Sequence, residues 1–319
     1  MKKLMGLILS AAVGGAATTA ALVLLGNRRL DKWETLTLDD VGNGDFVTCS
    51  DGTRMHFVAH HPERGEAQSK DDVILIHGLM DSVEQWRRNL DALAQIHCVW
   101  AIDLIGFGFS SRVTTPTYSM KMLARTIGEF MDAQGIPRAS IVGHSLGGAV
   151  ALEFAHDYPA RVDKLVLIAP ATYLLQFRPE LKWARYLPAV PRALIGWTMT
   201  SRRARERALR DALGDPAHFD PAELARRLRA TRVKGTADAL VAMLGSPHGS
   251  DLPRDLEKIT APTLIVWGEQ DRAVPVRHGR QHARALPNAQ LAIIENAGHI
   301  PQFEYPETVN QLLLEFLDK

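Results

Sequence analysis

Cysteine is scarce: Cys49 and Cys98 are the only two in 319 residues. They are too few for a disulfide scaffold and lack the spacing of a zinc or thioredoxin-like motif, so two unpaired strand cysteines are expected. A surplus of one charge is also missing. With 37 Lys and Arg against 36 Asp and Glu, the chain has no general field to gather nucleic acid, and no nucleic-acid partner is expected. It shows no repeat or low-complexity tract. At 46% hydrophobic and 23% charged, the composition is neither disordered nor fibrous. What remains is one large α/β domain with an insertion, or two smaller domains.

The N-terminus departs from that average. Gly6 to Gly26, GLILSAAVGGAATTAALVLLG, is uncharged and lies between Lys2, Lys3 and Arg28, Arg29. As a helix it would span about 31 Å, the thickness of a bilayer core. Residues 1–30 are therefore expected to be a single-pass membrane anchor, making the chain membrane-associated. A cleaved signal peptide is the rival, because the small residues from Ala16 to Ala21 suit processing, and a buried helix of a soluble protein is the third reading. The run nevertheless continues through Leu22, Val23, Leu24 and Leu25, beyond a usual signal core. Basic residues are similar in number on both sides and assign no orientation.

Beyond the anchor, strand and helix signals alternate. DVILIH, CVWAID, SIVGH, KLVLIA, TLIVWG and QLAIIE are short apolar runs, as expected of parallel strands covered on both faces. FVTCSDGTRMHFVAH, with Asp51-Gly52 between two β-rich runs, predicts an antiparallel hairpin. Helices are expected over Ser82 to Gln95, with Ser82 and Gln85 at capping-box spacing, and over Ser119 to Gln134, ended by Gly135 and Pro137. This alternation predicts an α/β fold with a mostly parallel sheet.

One region breaks it. From about Tyr173 to Ser250 there is no apolar strand run, and Trp183, Tyr186, Leu187, Ile195, Trp197 and Met199 mix with arginine-rich stretches such as RRARERALRDAL. A helical insertion is expected at 173–250, between core segments 31–172 and 251–319, with GSPHGSDLP as the return linker. Its arginines are expected on a solvated helix face rather than against anionic lipid.

GHSLGG, at Gly143 to Gly148, follows an apolar strand and opens a helix-like stretch. A sharp strand-to-helix turn projects a serine clear of the backbone, and small residues such as Gly143 and Gly147 allow the close approach it needs. The Leu146 amide would then sit at a helix N-terminus, facing any oxyanion formed at Ser145. A serine hydroxyl needs a base, and the base needs an orienting acid. Asp271 follows the strand in TLIVWGEQD, and His299 follows the last strand in QLAIIENAGHIPQFE. Glu269 and Glu295 are rival acids closer to their strand ends. His144 diverges from its neighbour Ser145 and is not expected to be the base, and His278 and His282 fall on a predicted helix as surface residues.

HGLMDS at His77, DLIGFGFS at Asp103, GHSLGG, WGEQD and AGHIPQFEYPE occur in that order. Through these motifs the chain resembles the α/β-hydrolase superfamily over roughly residues 45 to 319, with the insertion in the place of that family's cap. The resemblance implies an eight-stranded, mostly parallel sheet under helices and a triad of Ser145, His299 and Asp271. It also implies an oxyanion hole from the Leu79 and Leu146 amides, and structural roles for His77 and Asp103. Serine at the elbow separates the chain from the dehalogenase and epoxide hydrolase branches.

HGLM has the single-glycine form found in many lipases, and the chain resembles membrane-anchored monoacylglycerol-lipase-like hydrolases. Met80, Trp86 and Phe107 are expected with Leu79 in an acyl pocket. The reading is a serine hydrolase that cleaves apolar or lipid-derived carboxylic esters through an acyl-enzyme and needs no metal or organic cofactor. The alternatives are carbon–carbon hydrolysis of ring-fission products, thioester or amide hydrolysis, cofactor-independent perhydrolysis, and a noncatalytic ligand-binding homologue.

Overall fold

The apolar runs pair into one eight-stranded sheet of order β1-β2-β4-β3-β5-β6-β7-β8. In this computed structural model the backbone is described for residues 2–62, 71–113, 118–175, 186–246 and 255–319, and side chains from Thr18 on, except at 174, 175 and 245. β1 (Asp45–Thr48) and β2 (Arg54–His60) form the expected hairpin, with Val47 opposite Met55. β2 is antiparallel to β4 (Cys98–Ile102). β3 (Asp72–Ile76), β5 (Ala139–His144), β6 (Val162–Ile168), β7 (Thr263–Gly268) and β8 (Ala289–Ile294) complete the parallel part. Strand order reverses at β3, which lies between β4 and β5. In open α/β sheets ligands bind beyond the carboxyl ends of strands at such a reversal.

Alternation along the strands makes two apolar layers. Ile74, Ile76, Ile141, Leu165, Leu167 and Ile265 point to one side, under α2 (Met120–Gln134) and α3 (Leu146–Asp157). Val73, Leu75, Val142, Val166 and Val266 point to the other, with Trp86, Leu93 and Leu313. Each such buried aliphatic contributes about 1.5–3 kcal/mol. Ser119 caps α2 by accepting from the Met122 amide at 3.1 Å, and Gly135 ends it at φ 69°.

Three local expectations are corrected. The segment Ser82 to Gln95 is not one helix but a 3₁₀ turn, Val83–Trp86, followed by a single helical turn, Leu90–Leu93. Its capping box fails because the Gln85 side chain reaches the Gly78 amide and His144 instead. Cys49 lies just past β1 in the hairpin turn, its amide donating to the Thr53 carbonyl; it and Cys98 are both free thiols. His278 and His282, on α8 (Arg277–Ala285), are buried rather than at the surface. Both rings lie against Tyr173, and burial pushes the His282 imidazole down to about 4.

The insertion is helical: α4 (Ala189–Thr200), α5 (Arg202–Ala212), α6 (Pro221–Arg229) and α7 (Thr236–Gly245). Trp183 and residues 247–253 of the return linker lie outside the described residues.

The expected membrane-spanning helix is not found: among the described residues no helix is long and apolar enough to cross a membrane. α1 runs Lys2–Trp33, but the side chains of the apolar run up to residue 17 lie outside the described part. Its C-terminal half packs on the cap. A Cβ on Gly196 would sit 2.2 Å from the Gly26 carbonyl oxygen, so the two helices cross at backbone contact. Asn27 donates to the Ala189 carbonyl, Arg192 binds Asn27 and Asp31, and Leu30 is fully buried.

Candidate active site

Ser145 stands between β5 and α3 at φ 52° and ψ −112°, a backbone conformation that costs a non-glycine residue about 1–3 kcal/mol. The surrounding backbone leaves no choice. A Cβ on Gly143 would lie 2.4 Å from the Gly147 carbonyl oxygen, and one on Gly147 would lie 2.4 Å from that of Ile76. The Ser145 amide donates to Ile168 at 2.9 Å, and its carbonyl accepts from Ala149 and Ala171. The hydroxyl is thus held at the end of the central strands.

Asp271 and His299 arrive from the loops after β7 and β8. Ser145 Oγ lies 3.0 Å from His299 Nε2, and His299 Nδ1 lies 2.8 Å from Asp271 Oδ2. Asp271 Oδ1 accepts from the Ala273 and Val274 amides at 2.9 and 2.8 Å, which fixes the carboxylate. With an acceptor at Nδ1, that nitrogen carries the proton and Nε2 is left to accept from the serine hydroxyl. Glu269 and Glu295 are exposed, and the Glu269 carboxylate instead meets the Asn296 amide at 3.3 Å.

Four further residues brace this line, none of them singled out for that role from the sequence. Gln85 Oε1 accepts from the Gly78 amide at 2.9 Å while its Nε2 donates to His144 Nδ1 at 2.8 Å. His144 Nε2 in turn donates to the His299 carbonyl at 2.8 Å. Burial, then the nearby His299, pushes the His144 imidazole well below its ordinary value, so it is neutral and able to bridge. Glu304 accepts from the Gly214 and Gly298 amides at 2.7 and 2.8 Å, tying the cap to the histidine loop. The His299 amide donates to Ala212 at the end of α5 at 2.7 Å. Local sequence carries no signal for these bonds except that Gln85 lies near the HGLM run.

His77 and Asp103 hold loops, as the resemblance implies. His77 Nδ1 donates to the Gly78 carbonyl and its Nε2 accepts from the Leu104 amide. Asp103 accepts from the Val83 and Phe109 amides and from His56 Nδ1, each at 2.7 Å.

Ser145 and His299 open on a cavity of about 410 Å³. Leu79, Met80 and Leu146 line it from the core, and Met199, Leu209 and Leu228 from the cap. Met80 shares with Ser145 a positive φ, 60°. Trp86 and Phe107 do not line it. Trp86, turned under the sheet by the 3₁₀ segment, is fully buried in one apolar layer, and Phe107 packs in the other against the His77 ring. Arg227 reaches the cavity from α6, where it pairs with Asp81.

The alpha/beta hydrolase fold family matches residues 72–306 of the chain. A 2-hydroxy-6-oxononadienedioate/2-hydroxy-6-oxononatrienedioate hydrolase of Paraburkholderia phymatum is 29% identical over 300 residues, 89% of this chain and 99% of its own. Two solved structures are similar. A meta-cleavage product hydrolase of Pseudomonas fluorescens IP01 is 25% identical with a TM-score of 0.70, over 86% of this chain and 97% of that one. A membrane phospholipase A, described as a bacterial virulence factor, is 27% identical with a TM-score of 0.71, over 100% of this chain and 98% of that one.

Proposed function

The chain belongs to the alpha/beta hydrolase fold family, and from that premise we propose that it is a serine hydrolase cleaving carboxylic esters with apolar, lipid-derived acyl groups at a membrane surface. The observation that carries this reading is the Ser145–His299–Asp271 line opening on a mostly apolar cavity. Ser145 Oγ attacks the ester carbonyl carbon as His299 Nε2 takes its proton. The Leu79 and Leu146 amides receive the oxyanion, Leu146 with the dipole of α3 behind it. His299 then protonates the departing alkoxide, leaving an acyl-serine, and next deprotonates the water that releases the acid. Asp271 holds the imidazole in one tautomer and offsets its charge.

Membrane association is supported by the uncharged run Gly6 to Gly26, by the exposure of its last leucines and by exposed apolar side chains on the cap. Leu22, Leu24 and Leu25 on α1 are 48–53% exposed, and Tyr186, Leu187 and Leu194 on the cap are 59–76% exposed. Large apolar residues grouped in this way mark contact surfaces. The likeness to the membrane phospholipase A extends over the whole chain, first helix included.

Carbon–carbon hydrolysis is the second reading, favoured by likeness to the dienedioate and meta-cleavage product hydrolases. One experiment separates the readings. Full-length protein is labelled with a fluorophosphonate probe, then assayed on p-nitrophenyl esters of increasing acyl length and on a ring-fission dienone. Ser145-dependent labelling with ester turnover that rises with acyl length is expected. A dienone rate above that of every ester would replace the ester reading, and absence of both labelling and turnover would leave a binding protein.

A further inference from the structure

A second cavity, of about 400 Å³, lies where the end of α1 meets α5 and α6. Its walls carry Arg202, Arg205, Arg229 and Arg232, with Glu206 as the only carboxylate among them. Glu206 is engaged by Arg202 at 2.6 Å, so the lining keeps a surplus of positive charge. Trp33, the last residue of α1, forms an apolar face, with the Arg205 and Arg232 guanidiniums 4.5 and 5.7 Å from its ring centroid. Arg232 is steadied by Thr35 at 2.9 Å and Arg229 by the Asp40 carbonyl. The nearby Asp40 carboxylate is itself occupied by the Thr37 amide and hydroxyl. Arg205 Nε is buried without a hydrogen-bond partner.

Four guanidiniums thus meet at one cavity, those of the exposed Arg202, Arg229 and Arg232 and that of the half-buried Arg205, which has one buried donor unspent. Guanidinium forks match tetrahedral oxyanions in geometry as well as charge. We propose that this cavity binds a phosphate group, free or borne on a lipid headgroup, with Trp33 against the ester substituent. The site is separate from the ester chemistry and does not depend on it. It nevertheless shares a wall with the catalytic cavity, since Arg205, Leu224 and Leu228 line both.

The test uses the full chain carrying Ser145→Ala, in neutral detergent micelles at low ionic strength, titrated calorimetrically. One arm uses inorganic phosphate and the other an ether-linked short-chain phosphatidic acid, which no esterase can cleave. One saturable site is expected, weakened by salt and by about tenfold or more in Arg202→Gln/Arg232→Gln. Glu206→Gln, which releases Arg202, should bind several-fold more tightly, a gain that damaged folding would not give. Saturation with phosphate alone assigns a free-phosphate site, and saturation with the lipid alone assigns a headgroup site. No saturable binding in either arm, a folded double variant that binds as the parent does, or a Glu206→Gln variant that does not tighten would overturn the proposal.

Discussion

Replacing Gln85 by Met tests whether the braces around the triad matter as much as the triad itself. Met keeps the length of the side chain and removes both of its hydrogen bonds, to the Gly78 amide at 2.9 Å and to His144 Nδ1 at 2.8 Å. The residue is 1% exposed, so water does not replace them. Each buried group left without a partner costs about 1–3 kcal/mol, and two amount to about 4 kcal/mol. At about 2–4 °C per kcal/mol for a large domain, the unfolding midpoint should fall by about 8–16 °C.

Activity should fall as well, because Gly78 precedes the proposed oxyanion donor Leu79 and His144 supports the His299 carbonyl. Complete loss of an oxyanion donor lowers turnover by about 10²–10³, so a loosened one should lower kcat by about tenfold to a hundredfold while KM changes little. Thermal unfolding followed by circular dichroism, with steady-state hydrolysis of p-nitrophenyl butyrate, measures both. A Gln85→Met variant that melts within about 2 °C of the parent and keeps kcat within about twofold would refute the reasoning.

Asp271→Asn should keep the fold, because Oδ1 still accepts from Ala273 and Val274. It should lower ester turnover by about 10⁴, since the amide favours the wrong imidazole tautomer; a loss below about tenfold would show that another acid serves His299. In the His56–Asp103 pair, burial opposes both charges, but the short bond and mutual attraction prevail, raising the imidazole above 6.5 and holding the carboxyl below 3.8. The His56 contribution is full below 6.5 and is lost as pH rises through its raised value. The Asp103 contribution is present above 3.8 and is lost as pH falls through its depressed one. Urea unfolding of His56→Gln should therefore show its largest deficit, about 3–5 kcal/mol, between those limits; a deficit independent of pH contradicts the ion pair. Gly196→Leu puts a side chain where the Gly26 carbonyl lies 2.2 Å from a Cβ, and should expose α1 to limited proteolysis at a cost of about 1–3 kcal/mol or more. Unchanged proteolysis would mean that α1 is not seated there.

The strands of the sheet and the position of Ser145 were readable from sequence because both rest on local patterns, whereas the order in which the strands pair was not. Apolar runs such as TLIVWG are long enough to mark buried strands, and the glycines of GHSLGG mark a turn that larger residues cannot make. Asp271 and His299 were readable as an acid and a histidine lying just beyond the apolar runs TLIVWG and QLAIIE. Gln85 was misread for the opposite reason. Its spacing from Ser82 fits a helix cap, yet its partners, Gly78 and His144, are brought to it by the sheet and not by its own turn. Trp86 and Phe107 show the same limit: an apolar residue near an active-site motif can point into either layer of the core or into the pocket, and composition does not distinguish them. The burial of His278 and His282 likewise depends on Tyr173, far away in sequence.

A helical insertion joined to its core only by its two chain connections can swing on them alone. In this chain Gly26 and Gly196 lock α1 to α4 at backbone contact, and Arg192 clasps Asn27 and Asp31 across the same seam. The insertion is therefore tied to the first helix, of 32 residues, as well as through Ala212 and Gly214 to the His299 loop and Glu304. α4 carries both ends of this link, Gly196 against α1 and Met199 on the wall of the cavity. One helix thus joins the seat of α1 to the wall of the cavity at Ser145.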